Sequence, residues 1–280
     1  MTGVGSMLLG ASIMQWSAGI ATGLFRAMAP SAVSAWRILL GAVILVAFVR
    51  PDVRGWSRHR WLWSAALGGS VVVMNQCFYQ AIARIPLGAA VAFEYLGPLC
   101  VAAFGRRSPR HLIFVTLAGV GVLAIARPGG GLTWWGVVFA MGSGLGWAGY
   151  VAAAHRVGAQ ATGFAGLAVA MVISALVTLP LSLGSSAYVL GHPSALARLV
   201  VVAIMAIVLG FAFELQGLRR IRPAVAGVIS AFDPAVAFAI GFVLLGQPIT
   251  AFDALGMACV VVAGVGVTYD AASADAVVAQ

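Results

Sequence analysis

The chain is divided into ten apolar stretches of roughly 17 to 23 residues, with short polar or basic segments between them. A helix rises about 1.5 Å per residue, so each stretch is long enough to cross about 30 Å of hydrocarbon. We therefore predict an all-α polytopic membrane protein with ten transmembrane helices. The expected spans are approximately Ser6 to Ala29, Ser31 to Val49, Trp61 to Ala83, Pro86 to Phe104, His111 to Ala126, Trp134 to Ala154, Phe164 to Gly184, Arg198 to Leu218, Ala224 to Leu245 and Ala251 to Tyr269.

The composition supports a membrane protein and argues against a nucleic-acid-binding one. Hydrophobic residues make up 62% of the 280 residues and charged residues only 8%, whereas soluble domains carry about 25% charged residues. The net charge of +9 would suggest nucleic acid in a soluble protein. Here the basic residues lie in short loops between spans, where they indicate orientation, so the expected surroundings are a lipid bilayer and not nucleic acid.

All sixteen basic residues are arginines, and their distribution predicts the topology. With ten spans and an internal N-terminus, eleven arginines fall on the inner side and four on the outer side, which predicts that both termini are cytoplasmic. The first apolar run exceeds the roughly 7 to 15 residues of a signal-peptide core and is predicted to be a retained helix. The inner arginines are Arg50, Arg54, Arg58, Arg60, Arg106, Arg107, Arg110, Arg156, Arg219, Arg220 and Arg222, and the outer ones are Arg26, Arg84, Arg127 and Arg198.

A weak internal repeat divides the chain into two halves. Residues Gln80 to Gly105 match Gln216 to Gly241 at seven of 26 positions with an offset of 136, and AGVGV occurs at both 118–122 and 263–267. The repeat unit contains five spans, and an odd number places the second copy upside down in the membrane. Chance similarity between Ala/Gly/Val-rich helices is the alternative. We expect inverted five-helix repeats at residues 1–130 and 131–270, followed by a cytoplasmic tail at 271–280.

Glu94 is the first candidate for function because it lies in the middle of an apolar span. A charged side chain at a helix centre costs roughly 2.5 to 3.5 kcal/mol, so one that persists is usually paired, protonated or next to a water-filled cavity. Asp233 lies mid-span before Pro234, at the position that matches Gly97 before Pro98. We predict that the two carboxylates approach the repeat axis at similar depth from opposite halves.

Arg37 and Glu214 are the other intramembrane charges that we single out. Arg37 is the one cation well inside a span; it could pair with Glu94, bind an anion or extend outward along its own helix. Glu214 lies near the cytoplasmic end of its span, where a structural ion pair with Arg219 or Arg220 is an equal alternative.

Uncharged polar and aromatic residues complete the predicted site. Asn75 and Tyr79 share a helical face and could line a cavity or join helices by hydrogen bonds. Trp16 in the first span, and Trp147 with Tyr150 in the sixth, could form walls of a site or simply pack.

The sequence argues against an enzyme or a metal site. The three cysteines lie within spans without metal-ligand spacing, and the four histidines are scattered. The glycines at 129–131 follow an Arg-Pro loop and indicate a turn. Without a nucleotide-binding loop, active transport would need an ion gradient, and a mid-membrane carboxylate is suited to carry protons. No cofactor is expected.

Three segments make the chain resemble the drug/metabolite transporter superfamily with two EamA-type repeats, and most of all its threonine/homoserine exporter branch. They are AWRILL at 35–40, IPLGAAVAFEYLGPL at 85–99, and SAFDPAVA at 230–237 followed by LGQPIT. The resemblance implies a ten-helix inner-membrane exporter of small amino acids or related metabolites that works by proton exchange and alternating access. It puts Glu94 on the branch's acidic position and Arg37 on its arginine after Ala-Trp. Asp233 and Gln247 stand where glutamate is more usual.

Two transport functions follow as expectations. In the first, Glu94 alternately holds a proton and the ammonium of an amino acid, while Arg37 receives the carboxylate. In the second, the chain exports larger amphipathic or cationic compounds, which its carboxylates and aromatics would favour. A passive channel is a further possibility. We expect a multi-pass protein of the bacterial inner membrane, a monomer or weak dimer, with a small-molecule substrate and protons as its partners.

Overall fold

The computed structural model describes residues 2–104, 109–126, 132–158, 165–210, 213, 216–217, 220–221 and 223–278. The first half of the chain forms α1 (Gly3–Thr22), α2 (Pro30–Val49), α3 (Arg58–Ile82), α4 (Leu87–Phe104) and α5 (Pro109–Ile125). Side chains begin two of these helices: the Thr2 hydroxyl accepts from the Gly5 N–H, and the Ser57 hydroxyl accepts from the Arg60 N–H.

The second half of the chain is also helical but less regular. It forms α6 (Trp134–Gly158), α7 (Ala165–Leu183), the short α8 (Ser186–Gly191) and α9 (Pro193–Ala203), which continues as a π-helix at Ile204–Gly210. Then follow α10 (Pro223–Ser230), α11 (Asp233–Leu245) and α12 (Ala251–Val278). Gly246 ends α11 in the left-handed conformation at φ 64°, which suits glycine because it lacks a Cβ.

Length and composition make the protein an all-α polytopic membrane protein, as predicted. Among the described residues, seven helices are long and apolar enough to cross a bilayer, and two shorter apolar helices lie at Leu87–Val101 and Leu112–Ile125. The described part of the chain contains no strand. The count of ten spans stays a prediction. The seven are Gly3–Thr22, Pro30–Val49, Trp134–Ala154, Ala165–Leu183, Pro193–Gly210, Val225–Leu245 and Ala251–Asp270.

The first and the ninth predicted spans differ in detail from the helices observed. The first was expected to reach Ala29, but α1 ends at Thr22 and a series of turns leads to α2. The ninth was expected as one segment, but it is broken by a turn at Ala231 and Phe232. The break follows from Pro234, which has no N–H to donate to the Ser230 carbonyl and whose ring crowds it.

Glycines bring the helices of the two halves into backbone contact around α4 and α6. A Cβ on Gly97 of α4 would lie 1.9 Å from the Gly144 carbonyl oxygen of α6. A Cβ on Gly146 would lie 2.5 Å from the Met74 nitrogen of α3. Helix α6 therefore fits into the groove between α3 and α4, and the GxxxG pattern of Gly142 and Gly146 is typical of such close helix contacts.

Candidate functional site

A cavity of about 190 Å³ lies between helices of both halves. Helices α1 to α4 form one part of its wall, and α6, α7, the π-helix, α10 and α11 form the other. Four methionines give much of the wall a flexible apolar surface: Met7, Met14, Met74 and Met171. The polar lining residues are Gln15, Arg37, Asn75, Glu94, Trp147, Tyr150, Ser230 and Asp233.

Glu94 lines this cavity from the middle of α4 and is only 8% exposed. Its Oε1 accepts a hydrogen bond from the Ser143 hydroxyl of α6, so a helix of the other half orients the carboxyl group. Arg37 of α2 is close enough to interact with it electrostatically. The carboxyl group therefore lies at the contact between the halves, with one side toward the cavity.

Arg37 is held by a tyrosine behind it. Its Nη1 donates to the Tyr79 hydroxyl at 3.2 Å, and its guanidinium lies 5.5 Å from the centre of the Tyr79 ring. The Nε of Arg37 is buried and has no hydrogen-bond partner among the described residues. Arg37 and Glu94 are both described, and they do not form an ion pair with each other. A partly buried guanidinium with an unused donor beside a cavity can bind an anionic group.

Asn75 and the aromatic residues form other parts of the wall. The Asn75 amide lines the cavity and donates to the Val71 carbonyl at 2.9 Å, one turn earlier in α3. Trp147 also lines it and packs edge to face on Tyr95, with ring centres 6.1 Å apart. Tyr150, one turn further along α6, lines it too.

Asp233 reaches the cavity from the broken segment of the second half. It is the first residue of α11, directly after the turn that separates α11 from α10. An acid in the first turn of a helix is favoured by the positive end of the helix dipole. The predicted carboxylates of the two halves thus line one cavity.

Two predicted site residues do not line the cavity. Trp16 is 37% exposed and does not line the cavity. Tyr79 is fully buried behind Arg37 and acts on the cavity only through it. Glu214 lies outside the described residues.

Sequence reasoning missed several residues that belong to the site. Ser143 binds Glu94, and Gln15 and Ser230 line the cavity. Ser230 could have been found, because the repeat offset of 136 pairs it with Glu94. Gln15 directly precedes Trp16 and therefore lies on a different face of α1.

The arrangement offers acidic, basic and amide groups but no metal-binding set. Within the ranges that the structure describes, no three His, Cys, Asp or Glu side chains come together as metal ligands. Because acidic and basic side chains line the same cavity, it can bind a small molecule that carries both a positive and a negative group.

Comparison with known proteins assigns the family. Residues 134–269 match the EamA-like transporter family. Over 265 residues, the chain is 32% identical to the threonine/homoserine exporter RhtA of Salmonella typhimurium (strain SL1344), covering 94% of this chain and 90% of that protein. It is 31% identical to RhtA of Escherichia coli (strain K12) with the same coverage. The chain belongs to the EamA-like transporter family.

Members of the EamA-like family are transporters, so this multi-pass membrane protein is not an enzyme. The fold is also found in a solved crystal structure that matches 95% of this chain and 96% of its own, with a TM-score of 0.61. The sequence identity there is 19%, so this likeness shows the fold alone.

Proposed function

We propose that the protein is a secondary active transporter that exports small amino acids of the threonine or homoserine type, or related metabolites, across the bacterial inner membrane. The relatives that are 31 to 32% identical over almost the whole chain carry the name of such exporters. The cavity supplies a physical reason for the same substrate class.

The observation that carries the proposal is the presence of opposite charges on one small cavity. Glu94 and Arg37 line it from α4 and α2 without forming an ion pair with each other. An amino acid at neutral pH carries an ammonium and a carboxylate. The ammonium then binds Glu94 and the carboxylate binds the Arg37 guanidinium, with Tyr79 holding the guanidinium in place.

The size of the cavity favours a small substrate over the larger compounds of the alternative function. Drug-sized ligands occupy pockets of about 300 to 1,000 Å³, and this cavity has about 190 Å³. The four methionines are the feature that favours a multidrug-type exporter, because their side chains adapt to varied partners. Drug-susceptibility profiles of cells with and without the protein separate the two functions.

Glu94 couples export to protons in this proposal. It takes up a proton when it faces the outer side and exchanges it for the substrate ammonium when it faces the cytoplasm. The cavity opens to one side at a time, so each proton that enters accompanies one substrate that leaves. The energy comes from the proton gradient.

The proposal includes ten spans arranged as two inverted repeats at 1–130 and 131–270. Support comes from the helix contacts, which remain the same when each helix is replaced by its counterpart in the other half. Contacts α2–α7, α4–α11 and α5–α12 each join equivalent spans, and α3–α6 is mirrored by α1–α9. The contact of α4 with α6 is mirrored by that of α1 with α10 and α11. We propose cytoplasmic termini, with residues 271–280 as a tail, and a monomer or weak dimer.

Exchange in proteoliposomes tests the proposed function. Vesicles containing the purified protein are loaded with a mixed pool of amino acids and metabolites, and loss of each compound is measured with and without an imposed pH gradient. We expect threonine, homoserine or a close analogue to leave, faster when the gradient drives protons in the opposite direction. Exchange restricted to large cationic compounds, or efflux that no gradient can drive uphill, contradicts the proposal.

A further inference from the structure

The Ser143 hydroxyl lies between two acceptors on two different helices. It reaches Oε1 of Glu94 in α4 and lies 2.9 Å from the Met74 carbonyl oxygen in α3. A serine hydroxyl has one proton to donate and two lone pairs to accept with. It therefore cannot donate to both acceptors at once, and the protonation state of Glu94 decides between them.

Close packing holds Ser143 in this position. The neighbouring Gly144 packs against the backbone carbonyl of Glu94, and a Cβ added to this glycine would lie 2.7 Å from that oxygen. Gly142 faces Cys77 and Gly146 faces Met74, both on α3. Ser143 is completely buried, so water does not compete for its proton. The glycines thus let one short side chain contact both helices.

We propose that Ser143 is the positioning residue of Glu94 and that it converts the proton state of this acid into a change of helix contacts. This inference rests on the proposed role of Glu94 and extends it to a residue of the other half. When Glu94 is ionised, Ser143 donates to the carboxylate, since an ionised acceptor forms the stronger hydrogen bond. When Glu94 is protonated, its own O–H donates to Ser143 Oγ, and the serine proton turns to the Met74 carbonyl.

The consequence is a link between protonation and packing. When Glu94 is protonated, one chain of hydrogen bonds joins α4, α6 and α3. When Glu94 is ionised, the hydrogen bond from Ser143 to the Met74 carbonyl of α3 is not formed. Helix α3 also carries Asn75 and Tyr79, which form and support the cavity wall. Loss of a proton therefore removes this one hydrogen bond between α6 and α3 at the step when the substrate ammonium binds.

Other ionisable groups near Glu94 are accounted for in this arrangement. Arg37 from α2 and Cys77 from α3 interact with it electrostatically, and Asp233 from α11 lines the same cavity. Among the described residues, α5 and α12 contribute no side chain to the cavity wall. None of these groups is changed by a substitution at Ser143.

Infrared spectroscopy of the protein in lipid bilayers tests the proposal without a known substrate. The C=O stretching band of protonated Glu94 is identified by its loss in Glu94→Gln and is followed as a function of pH. In Ser143→Ala the carboxylate loses a donor, so we expect protonation to persist to higher pH, with the band midpoint raised by about one pH unit. The band also moves to higher frequency because the protonated acid has lost its acceptor.

Ser17→Ala is the matched control. Ser17 lies in α1, the counterpart of α6, and donates to the Val202 carbonyl at 2.9 Å, so its removal breaks the same kind of helix contact without touching an acid. We expect the Glu94 band to be unchanged in this variant. Should Ser143→Ala fail to fold, Ser143→Cys supplies a weaker donor, with a smaller shift in the same direction.

The outcomes separate this inference from the proposed function. A Glu94 band that is identical in wild type and in the Ser143 variants, or that moves equally in Ser17→Ala, overturns the role of Ser143 while leaving proton-coupled export intact. Conversely, a shifted band in a protein that exchanges no amino acid supports the serine contact and rejects the proposed substrate.

Discussion

At the residue scale, the support of Arg37 decides how well an anionic group is bound. Arginine has a long, mobile side chain, and the Tyr79 hydroxyl and ring fix the direction of the Arg37 guanidinium. Because Tyr79 is fully buried, it cannot touch a substrate in the cavity. A change at Tyr79 should therefore act on binding only through Arg37.

Tyr79→Phe tests this support. The ring and its contact with the guanidinium remain, but one hydrogen bond is lost, which is worth about 1 kcal/mol, or roughly a fivefold change in affinity. We expect the half-saturating concentration of threonine in exchange assays to rise about fivefold. Tyr188 lies in α8 and stacks on His192, away from the cavity, so Tyr188→Phe should have no effect. Equal effects of both changes would contradict a specific role for Tyr79.

The charged residues of the cavity could be identified from the sequence, as could Asn75, Trp147 and Tyr150, whereas its other uncharged residues could not. A charge within an apolar span is costly, so Glu94, Arg37 and Asp233 are visible in one sequence, and all three line the cavity. Glutamine, serine and methionine are tolerated on any face of such a helix. Gln15, Ser143 and the four methionines therefore needed coordinates, and Trp16 was chosen in place of Gln15.

At the scale of helices, the contact between α4 and α6 depends on glycine. Gly97→Ala would place a Cβ 1.9 Å from the Gly144 carbonyl oxygen, and backbone on both sides leaves no flexible group to move. We expect a severe loss of folded protein, measured as the monodisperse fraction after detergent extraction. Gly119→Ala in α5 is the control, because nothing lies within 4 Å of its added Cβ. Wild-type yield for Gly97→Ala would show that the helices are not in contact there.

The loop after α11 supports the beginning of α4. The Gln247 side-chain oxygen accepts from the Leu87 N–H at 3.0 Å, and this N–H belongs to the first turn of α4, where the helix itself offers no acceptor. The resemblance to transporters with glutamate at this position has a physical basis, since either side chain offers an oxygen. Gln247 thus serves as a cap between the halves.

Substitution of Gln247 separates capping from transport. Gln247→Ala should lower the free energy of unfolding by about 1 kcal/mol, whereas Gln247→Glu should retain the cap and favour the positive end of the α4 dipole. Thermal unfolding of the purified variants measures the difference. Identical melting of both variants and wild type would mean that the contact contributes nothing to stability.

Helix positions follow from apolar length, but helix interruptions depend on local chemistry. The stretches predicted for α2 and α7 agree with the helices to within one or two residues. The break between α10 and α11 was not predicted, although Pro234 marks it, because proline within a span can also be tolerated, as Pro98 is within α4. Packing decides between the two outcomes, and packing is absent from the sequence pattern.

At the scale of the whole molecule, the inverted arrangement makes a prediction about topology. Two halves of five spans each would put both termini on the same side of the membrane, and the arginine distribution predicts that this side is the cytoplasm. A C-terminal green fluorescent protein fusion should be fluorescent, and a C-terminal alkaline phosphatase fusion should be inactive. A fusion after residue 130, between the halves, should give the opposite pattern. An active phosphatase at the C-terminus would contradict ten spans.

The proposed exchange of a proton for the substrate at Glu94 is tested most directly by pH-gradient-driven efflux from proteoliposomes containing Glu94→Gln. The amide keeps the shape but cannot release a proton, so we expect threonine efflux to fall to that of protein-free vesicles while insertion and yield are unchanged. Asp52→Asn, the same chemical change in an exposed loop, should transport like wild type. Wild-type efflux by Glu94→Gln under the same gradient would contradict the claim.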